Sequence, residues 1–253
     1  GNPRPRLFRF PEYESLQNAM GFNNDGMDSV LKRMERTFPS SVPVGINIGK
    51  NKATPQEEAI KDYQTLINAF KDLCDYLVIN ISSPNTPQLR DLQNERFIAD
   101  LFKTARQVTS RPILLKISPD MDKAAAVSLC STAVEHGASG IIAANTSTDY
   151  SLLPGAREFG GISGKVIREK SFAIFDSIAG ELYGKTILIS VGGIDSGKEA
   201  YRRFKAGASL VQIYSAMIFQ GPALVGKINK ELLELMERDG VKNITEIIGI
   251  ERR

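Results

Sequence analysis

Tryptophan is absent, histidine occurs once (His136), and cysteine occurs twice, as Cys74 and Cys130. A chain so poor in imidazole and thiol lacks the ligand set from which zinc sites are built, and no metal is expected. Both cysteines fall in expected helices and read as reduced, buried thiols. His136 falls in the last turn of an expected helix, where it suits the helix dipole, and it is set aside as a catalytic candidate. No apolar run approaches the roughly eighteen residues of a membrane-crossing helix, and the opening residues lack the pattern of a signal peptide. Charge of one sign is also lacking: 32 Lys and Arg against 29 Asp and Glu leave a net charge of +3. That balance is too small to imply nucleic acid, and Arg4, Arg6 and Arg9 read as a local solvated arm. The chain opens at Gly1 rather than Met, so a processed or truncated form is expected.

What is present is a regular alternation of short apolar runs with longer helical patterns. Strands are expected at 43–48, 76–81, 112–117, 139–144, 186–191 and 209–213. Helices are expected near 55–72, 92–108, 121–136, 165–183, 196–206 and 222–239, with Asp120 or Asp122 capping the third and Gly137 following it. This is the βαβ pattern of a parallel sheet, without a linker or second domain. The 253 residues suit one large α/β domain. The last two strands run into Gly192-Gly193 and into Tyr214-Ser215, resembling the phosphate site after strands 7 and 8 of a (β/α)8 barrel. On that count the six strands are numbers 3 to 8. The first two βα units are then absent, and 1–42 is a long connection. A six-stranded doubly wound sheet is the alternative.

The strand ends carry the chemistry. Residues 77–87, Leu-Val-Ile-Asn-Ile-Ser-Ser-Pro-Asn-Thr-Pro, pass from a buried apolar run into small polar side chains, with Pro84 and Pro87 stiffening the turn. The other exits present Asn47, Lys116, Asn145 with Thr146, Gly193, and Tyr214 with Ser215. In a barrel the carboxyl ends of the strands form the active site, so one shared ligand site is expected. Lys116 follows Ile-Leu-Leu in a buried strand, where a lysine is costly unless it faces an anion. Gly192 to Lys198 matches the Gly-x4-Gly-Lys spacing of a P-loop, but Glu199 stands where Ser or Thr must hold Mg²⁺. A double glycine letting phosphate approach the backbone at a helix N-terminus is the better reading, and Gly160–Gly164 is expected to make a similar close approach. These strand ends bring no carboxylate, which argues against paired-carboxylate hydrolysis. A hydroxyl is the remaining base, and a serine serves only if its proton is relayed onward.

Together these motifs resemble the dihydroorotate dehydrogenase family of FMN enzymes. They are Asn80-Ile-Ser-Ser-Pro-Asn-Thr-Pro87, Asn18-Ala-Met-Gly-Phe22, Gly45-Ile-Asn-Ile-Gly-Lys-Asn-Lys52, Asn145-Thr146, Gly160-Gly-Ile-Ser-Gly164, Ser190-Val-Gly-Gly-Ile194 and Gln212-Ile-Tyr-Ser215. The resemblance implies oxidation of dihydroorotate to orotate, in pyrimidine synthesis, on a (β/α)8 barrel. It implies that Ser83 removes the C5 proton while the C6 hydride passes to N5 of FMN, with Thr86 and Phe22 in the proton relay. It places the substrate against Asn18, Ala19, Met20, Gly21, Phe22, Asn80, Asn85, Asn145 and Thr146. It places FMN against Asn47, Asn80, Lys116, Ala144, Gly164, Gly193, Tyr214 and Ser215, the phosphate near Gly193, Tyr214 and Ser215. Lys116 would stabilise negative charge on the reduced flavin. Ala144 departs from the threonine many relatives carry there, a change the backbone contact tolerates.

Serine rather than cysteine at 83 resembles the class 2 branch, which passes electrons to a membrane quinone. That implies a peripheral enzyme on the cytoplasmic face of a bacterial inner membrane, or on the mitochondrial inner membrane of a eukaryote. It also implies that the N-terminal helical quinone domain and the first two barrel strands are outside this chain, leaving an open barrel with two exposed edges. The alternatives are a class 1-like FMN barrel using fumarate or NAD, and a non-catalytic phosphate-binding barrel fragment.

Overall fold

The computed structural model describes residues 1–86 and 88–253, so Pro87, expected to stiffen the turn after Asn80, lies outside them. Leu7–Phe10 (β1) and Ser15–Asn18 (β2) form an antiparallel hairpin, and Met27–Thr37 is a helix (α1). The expectation that 1–42 is only a connection is therefore corrected. The reason lies in β2, where Ser15, Leu16 and Gln17 are buried. The Gln17 amide donates to the Arg157 and Phe159 carbonyls and accepts the Arg157 N–H. A strand satisfied by residues so far along the chain leaves little local signal.

The βα units then follow in order. They are Gly45–Ile48 (β3), Ala59–Phe70 (α2), Tyr76–Asn80 (β4), Glu95–Val108 (α3), Ile113–Lys116 (β5) and Lys123–Glu135 (α4). After Gly140–Ala143 (β6) comes Gly161–Gly164 (β7), then Arg168–Leu182 (α5), Ile187–Val191 (β8) and Gly197–Lys205 (α6). Leu210–Gln212 (β9), Ser215–Gln220 (α7) and Leu224–Arg238 (α8) complete the chain. All six expected strands and six expected helices are present, trimmed by a few residues at their ends. The third helix is capped by Asp122, whose Oδ1 accepts the N–H groups of Ala124 and Ala125 at 2.9 and 3.1 Å. Asp120 is not a cap and has a different role.

The six strands β3, β4, β5, β6, β8 and β9 pair in that order, every pair parallel. A doubly wound sheet reverses its order at a switch point; this sheet never does, and its strand order is that of a curled, partial (β/α) barrel. Both faces are covered, as parallel sheets require. Val78, Leu114, Ile142 and Ile189 form one cluster with Tyr76 and Val191 on the inner face. Leu77, Ile79, Leu115, Ile141 and Leu188 instead join the larger core with the helices. On α3 the buried positions Ile98, Leu101, Phe102 and Ala105 recur at helical spacing, so one stripe faces the sheet.

The segment β7 lies outside that sheet. It pairs antiparallel with β2, Ser15 opposite Gly164, and so forms a three-stranded sheet β1-β2-β7 beside the carboxyl ends of the barrel strands. Gly160–Gly164, expected to make a close approach, does so largely as the strand Gly161–Gly164. A Cβ at Gly161 would sit 2.1 Å from Thr146 Oγ1, so only glycine lets this strand reach the β6 exit. No helix among the described residues is long and apolar enough to cross a membrane.

Candidate active site

A cavity of about 570 Å3 lies between the carboxyl ends of the barrel strands and the β1-β2-β7 sheet. Barrel strands supply one wall through Asn47, Asn80, Ser83, Asn85, Lys116, Ala144, Asn145 and Thr146. Asn18, Met20, Gly21 and Phe22 follow β2 onto the opposite side, with Gly164 from β7. Gly193, Tyr214 and Ser215 close the end formed by β8 and β9. Ala19 and Thr86 are the two expected site residues that do not line this cavity; Thr86 is buried behind the wall.

The polar side chains of the β4 and β6 exits hold one another. Asn80 Oδ1 accepts the Ser82 N–H at 3.1 Å and the Ser82 hydroxyl at 2.8 Å. Ser82 Oγ in turn accepts from Asn145 Nδ2 at 2.8 Å. Asn145 Oδ1 accepts the Thr146 N–H at 2.8 Å. Each amide is thus fixed on one side, and its rotamer is set before any ligand arrives. Ser82, which is fully buried, is the brace of this cluster. Ser83 projects into the cavity, and its Oγ accepts the Asn85 N–H at 3.2 Å. Asn85 Nδ2 reaches across to Asn18, at 3.3 Å from Oδ1 and 3.4 Å from the carbonyl oxygen. The segment after β2 is thereby tied to the loop that carries Ser83.

Lys116 ends β5 inside the cavity and has no hydrogen-bond or carboxylate partner among the described residues. Burial pushes its ammonium below the ordinary lysine range. An unpaired, half-buried cation is costly unless an anion or electron-rich group faces it, so the site suits such a ligand.

At the other end, Gly193 has φ +72°, in the left-handed region that favours glycine. The Gly192 carbonyl accepts from Ser171 Oγ at 2.7 Å and from Arg203 at 3.2 Å, and the Gly193 carbonyl accepts from Arg168 Nε at 3.0 Å. In a trans peptide the N–H points opposite to the carbonyl. The N–H groups of Gly193 and Ile194 are therefore turned away from these donors, and neither has a partner among the described residues. Both residues line the cavity. Two free N–H groups in the cavity that Ser215 also lines, its hydroxyl bonded to Ser163 Oγ at 2.8 Å, form a donor set for phosphate. The helix α6 begins only at Gly197, after the Ser196 cap, so the double glycine offers its own backbone rather than a helix end.

Two carboxylates reach the wall from outside the strand ends counted in the sequence. Asp195 lies just past the double glycine and Glu14 precedes β2. Each is held in an ion pair, Asp195 with Arg168 and Glu14 with Lys165. They do not face each other as an acid and base pair. No group of three or more His, Cys, Asp or Glu among the described residues is placed to hold a metal.

Sequence reasoning missed a ring of charged residues behind the wall. Arg90, Asp120, Arg168 and Arg203 bond the backbone of the strand exits or the charges beside them. Only one signal was available: Glu199 and Arg203 stand four apart on an expected helix. His136 caps the C-terminal end of α4, its Nδ1 lying 2.9 Å from the Thr132 carbonyl oxygen.

The family model described as Dihydroorotate dehydrogenase matches residues 1–236. Over 253 residues the chain is 62% identical to the dihydroorotate dehydrogenase (quinone) of Nitratiruptor sp., covering all of this chain and 72% of that relative. It is 62% identical over the same span to the enzyme of that name from Sulfurimonas denitrificans, and 49% identical to that of Helicobacter acinonychis, again covering 72% of each. Among solved structures, DHODH from Eimeria tenella in complex with ferulenol superposes with a TM-score of 0.92 at 30% identity. That match covers all of this chain and 76% of the other. On sequence, fold and strand order alike, the chain belongs to the dihydroorotate dehydrogenase family.

Proposed function

We propose that this chain binds FMN and oxidises (S)-dihydroorotate to orotate, with a quinone as final electron acceptor. The observation that carries the reading is the convergence on one cavity of a buried serine, six asparagines, an unpaired lysine and two free backbone N–H groups. The relatives bearing the quinone enzyme's name, 49 to 62% identical along the whole chain, support it.

The donor sets fit the cofactor. Gly193, Ile194 and Ser215 would hold its phosphate, and Lys116 with Asn47 and Asn80 its ring system. Ala144 and Gly164 complete the wall. Bound there, FMN supplies the two-electron acceptor for the hydride leaving C6 of the substrate.

The protein's own groups manage the proton. Asn18, Asn80, Asn85 and Asn145 with Thr146 offer amide and hydroxyl groups suited to the alternating donors and acceptors of the pyrimidine edge. Met20, Gly21 and Phe22 cover the substrate from the side of β2. Ser83 Oγ takes the C5 proton, and the electrons of the broken C–H bond become the C5=C6 double bond. The Asn85 N–H occupies one lone pair of that oxygen, orienting the other toward the substrate. A neutral hydroxyl is a weak base, so its original proton must leave as the new one arrives. Thr86, behind the wall, and Phe22, at its outer edge, mark the path we assign to that proton.

The quinone step and a peripheral membrane contact, on the cytoplasmic face of a bacterial inner membrane, belong to the same proposal. The chain spans about 72% of the length of its relatives, and we place the quinone passage in the part of the protein outside it. The deciding experiment is the absorption spectrum of the purified full-length protein, followed on adding dihydroorotate. Flavin bands that bleach with dihydroorotate and recover with quinone are expected. Protein without flavin, or flavin that stays oxidised, overturns the reading.

A further inference from the structure

One arginine outside the cavity touches both halves of the catalytic wall. Arg90 Nε donates to the Ser82 carbonyl at 3.0 Å, and its Nη2 donates to the Thr146 carbonyl at 2.9 Å. Its Nη1 donates to Asp120 Oδ2 at 2.9 Å and lies 3.3 Å from Thr148 Oγ1. Asp120 receives the Thr148 N–H at 2.7 Å, the Ser147 hydroxyl at 2.5 Å and the Lys170 ammonium at 3.1 Å. One guanidinium and one carboxylate therefore pin the exits of β4, β5 and β6 to each other.

We propose that Arg90, oriented by Asp120, is a positioning residue that sets the distance between the proton-abstracting Ser83 and the substrate-holding pair Asn145 and Thr146.

The planar fork of arginine is suited to this, because it presents several donors in fixed directions at once. Ser82 immediately precedes Ser83, so its carbonyl anchors the peptide that aims the base. Thr146 belongs to the substrate side, so its carbonyl anchors the other partner of the reaction. The cluster adds little net charge, since Arg90 and Lys170 face Asp120 and Asp149. Its influence is thus geometric rather than a field on the substrate. Neither residue lines the cavity, so neither touches the reacting atoms.

The inference rests on the reading of the site as a dihydroorotate oxidase, and the test separates the two. Flavin reduction by dihydroorotate is followed in single turnovers of the full-length, flavin-loaded protein, with orotate affinity read from the flavin spectrum. Wild-type, Arg90→Met, Arg90→Lys and Asp120→Asn proteins and the double variant Arg90→Met with Asp120→Asn are compared. A misplacement of about 1 Å costs on the order of 100-fold in rate. Arg90→Met is therefore expected to slow flavin reduction by roughly 10- to 100-fold and to weaken orotate binding, with flavin content and the quinone half-reaction unchanged. Arg90→Lys recovers only part of the rate, because an ammonium cannot hold both carbonyls in the same fork. Asp120→Asn, which keeps the shape but loses the charge, should show the same defect more mildly and add little to Arg90→Met.

If wild-type protein does not reduce its flavin with dihydroorotate, the functional reading fails. If it does and the Arg90 variants match it, or if Arg90→Lys restores the full rate, the positioning role fails. Should Arg90→Met not fold, the Asp120→Asn and Arg90→Lys comparison carries the same decision.

Discussion

Asn145 Nδ2 donates to the Ser82 hydroxyl at 2.8 Å, so the amide at the β6 exit that we propose holds the substrate is braced by the residue next to the candidate base. Adjacent serines thus have separable jobs. Ser83→Ala should leave flavin and orotate bound while slowing flavin reduction by roughly 10²- to 10⁴-fold, the usual contribution of a general base. Ser82→Ala should do the opposite. It removes the hydroxyl acceptor of Asn145 Nδ2 and one of the two donors to Asn80 Oδ1, at about 1–3 kcal/mol, and the loss appears chiefly as weaker orotate binding. Single-turnover reduction and orotate titration of both variants give the comparison, and equal phenotypes would refute the division of labour.

Lys116 gives the cofactor site a pH dependence with a definite sign. Burial lowers its pKa from the ordinary 10.5, and an anionic ligand binds best to the protonated form. Affinity for FMN should therefore be full below that lowered pKa and fall as pH rises through it. Lys116→Met removes one charge-assisted contact, worth about 1.5–3 kcal/mol, and should weaken FMN binding while abolishing that pH dependence. Quenching of flavin fluorescence on binding, titrated at several pH values, reads both effects.

The approach of β7 to the β6 exit leaves no room for a methyl group. A Cβ at Gly161 would lie 2.1 Å from Thr146 Oγ1 and 2.7 Å from its Cβ. Neither strand can yield easily, because Thr146 is also tied to Arg90 through its carbonyl. Gly161→Ala is expected to displace Thr146 and raise the dihydroorotate KM by about 10-fold or more, the scale of a lost hydrogen bond, with a smaller effect on flavin retention. Steady-state kinetics beside a flavin count is the check.

The parts of the fold that were legible are those whose signal is local. The apolar run ending at Asn80 and the cap at Asp122 each announce themselves within a few residues. The antiparallel sheet was not legible, because Gly161-Ile-Ser-Gly164 holds one large apolar residue and its partner β2 lies far away in the chain. Helix α1 carries Met27, Val30, Leu31 and Met34 at helical spacing, packed against the core. Flanking Asn, Gly and Pro residues concealed it. At the site, Asn80, Ser83, Lys116 and Asn145 could be named because each ends an obvious strand. Arg90 sits in a short 3-10 turn, Leu89–Leu92, and Asp120 in the turn after β5, where charge ordinarily means solvent, and only the folded chain shows their carbonyl and carboxylate partners.

The same blindness applies to Arg203, whose side chain is fully buried on α6. It donates to Glu199 at 2.6 Å, to Ser190 Oγ at 3.1 Å and to the Arg168 and Gly192 carbonyls at 3.0 and 3.2 Å. Removing one partner of such a pair leaves a buried charge uncompensated, at about 3–5 kcal/mol. Arg203→Met should therefore lower the melting temperature by roughly 6–20 °C, at about 2–4 °C per kcal/mol for a chain of this size. Replacing both residues, with Arg203→Met and Glu199→Leu, should cost less than Arg203→Met alone, because no charge is then stranded. The double variant still lacks the donor to Gly192, so its N–H pair is less firmly aimed. Its affinity for FMN should fall more than its affinity for riboflavin, which has no phosphate. Thermal denaturation and the two flavin titrations decide this, and equal losses for FMN and riboflavin would mean that Arg203 supports the fold without shaping the phosphate cradle.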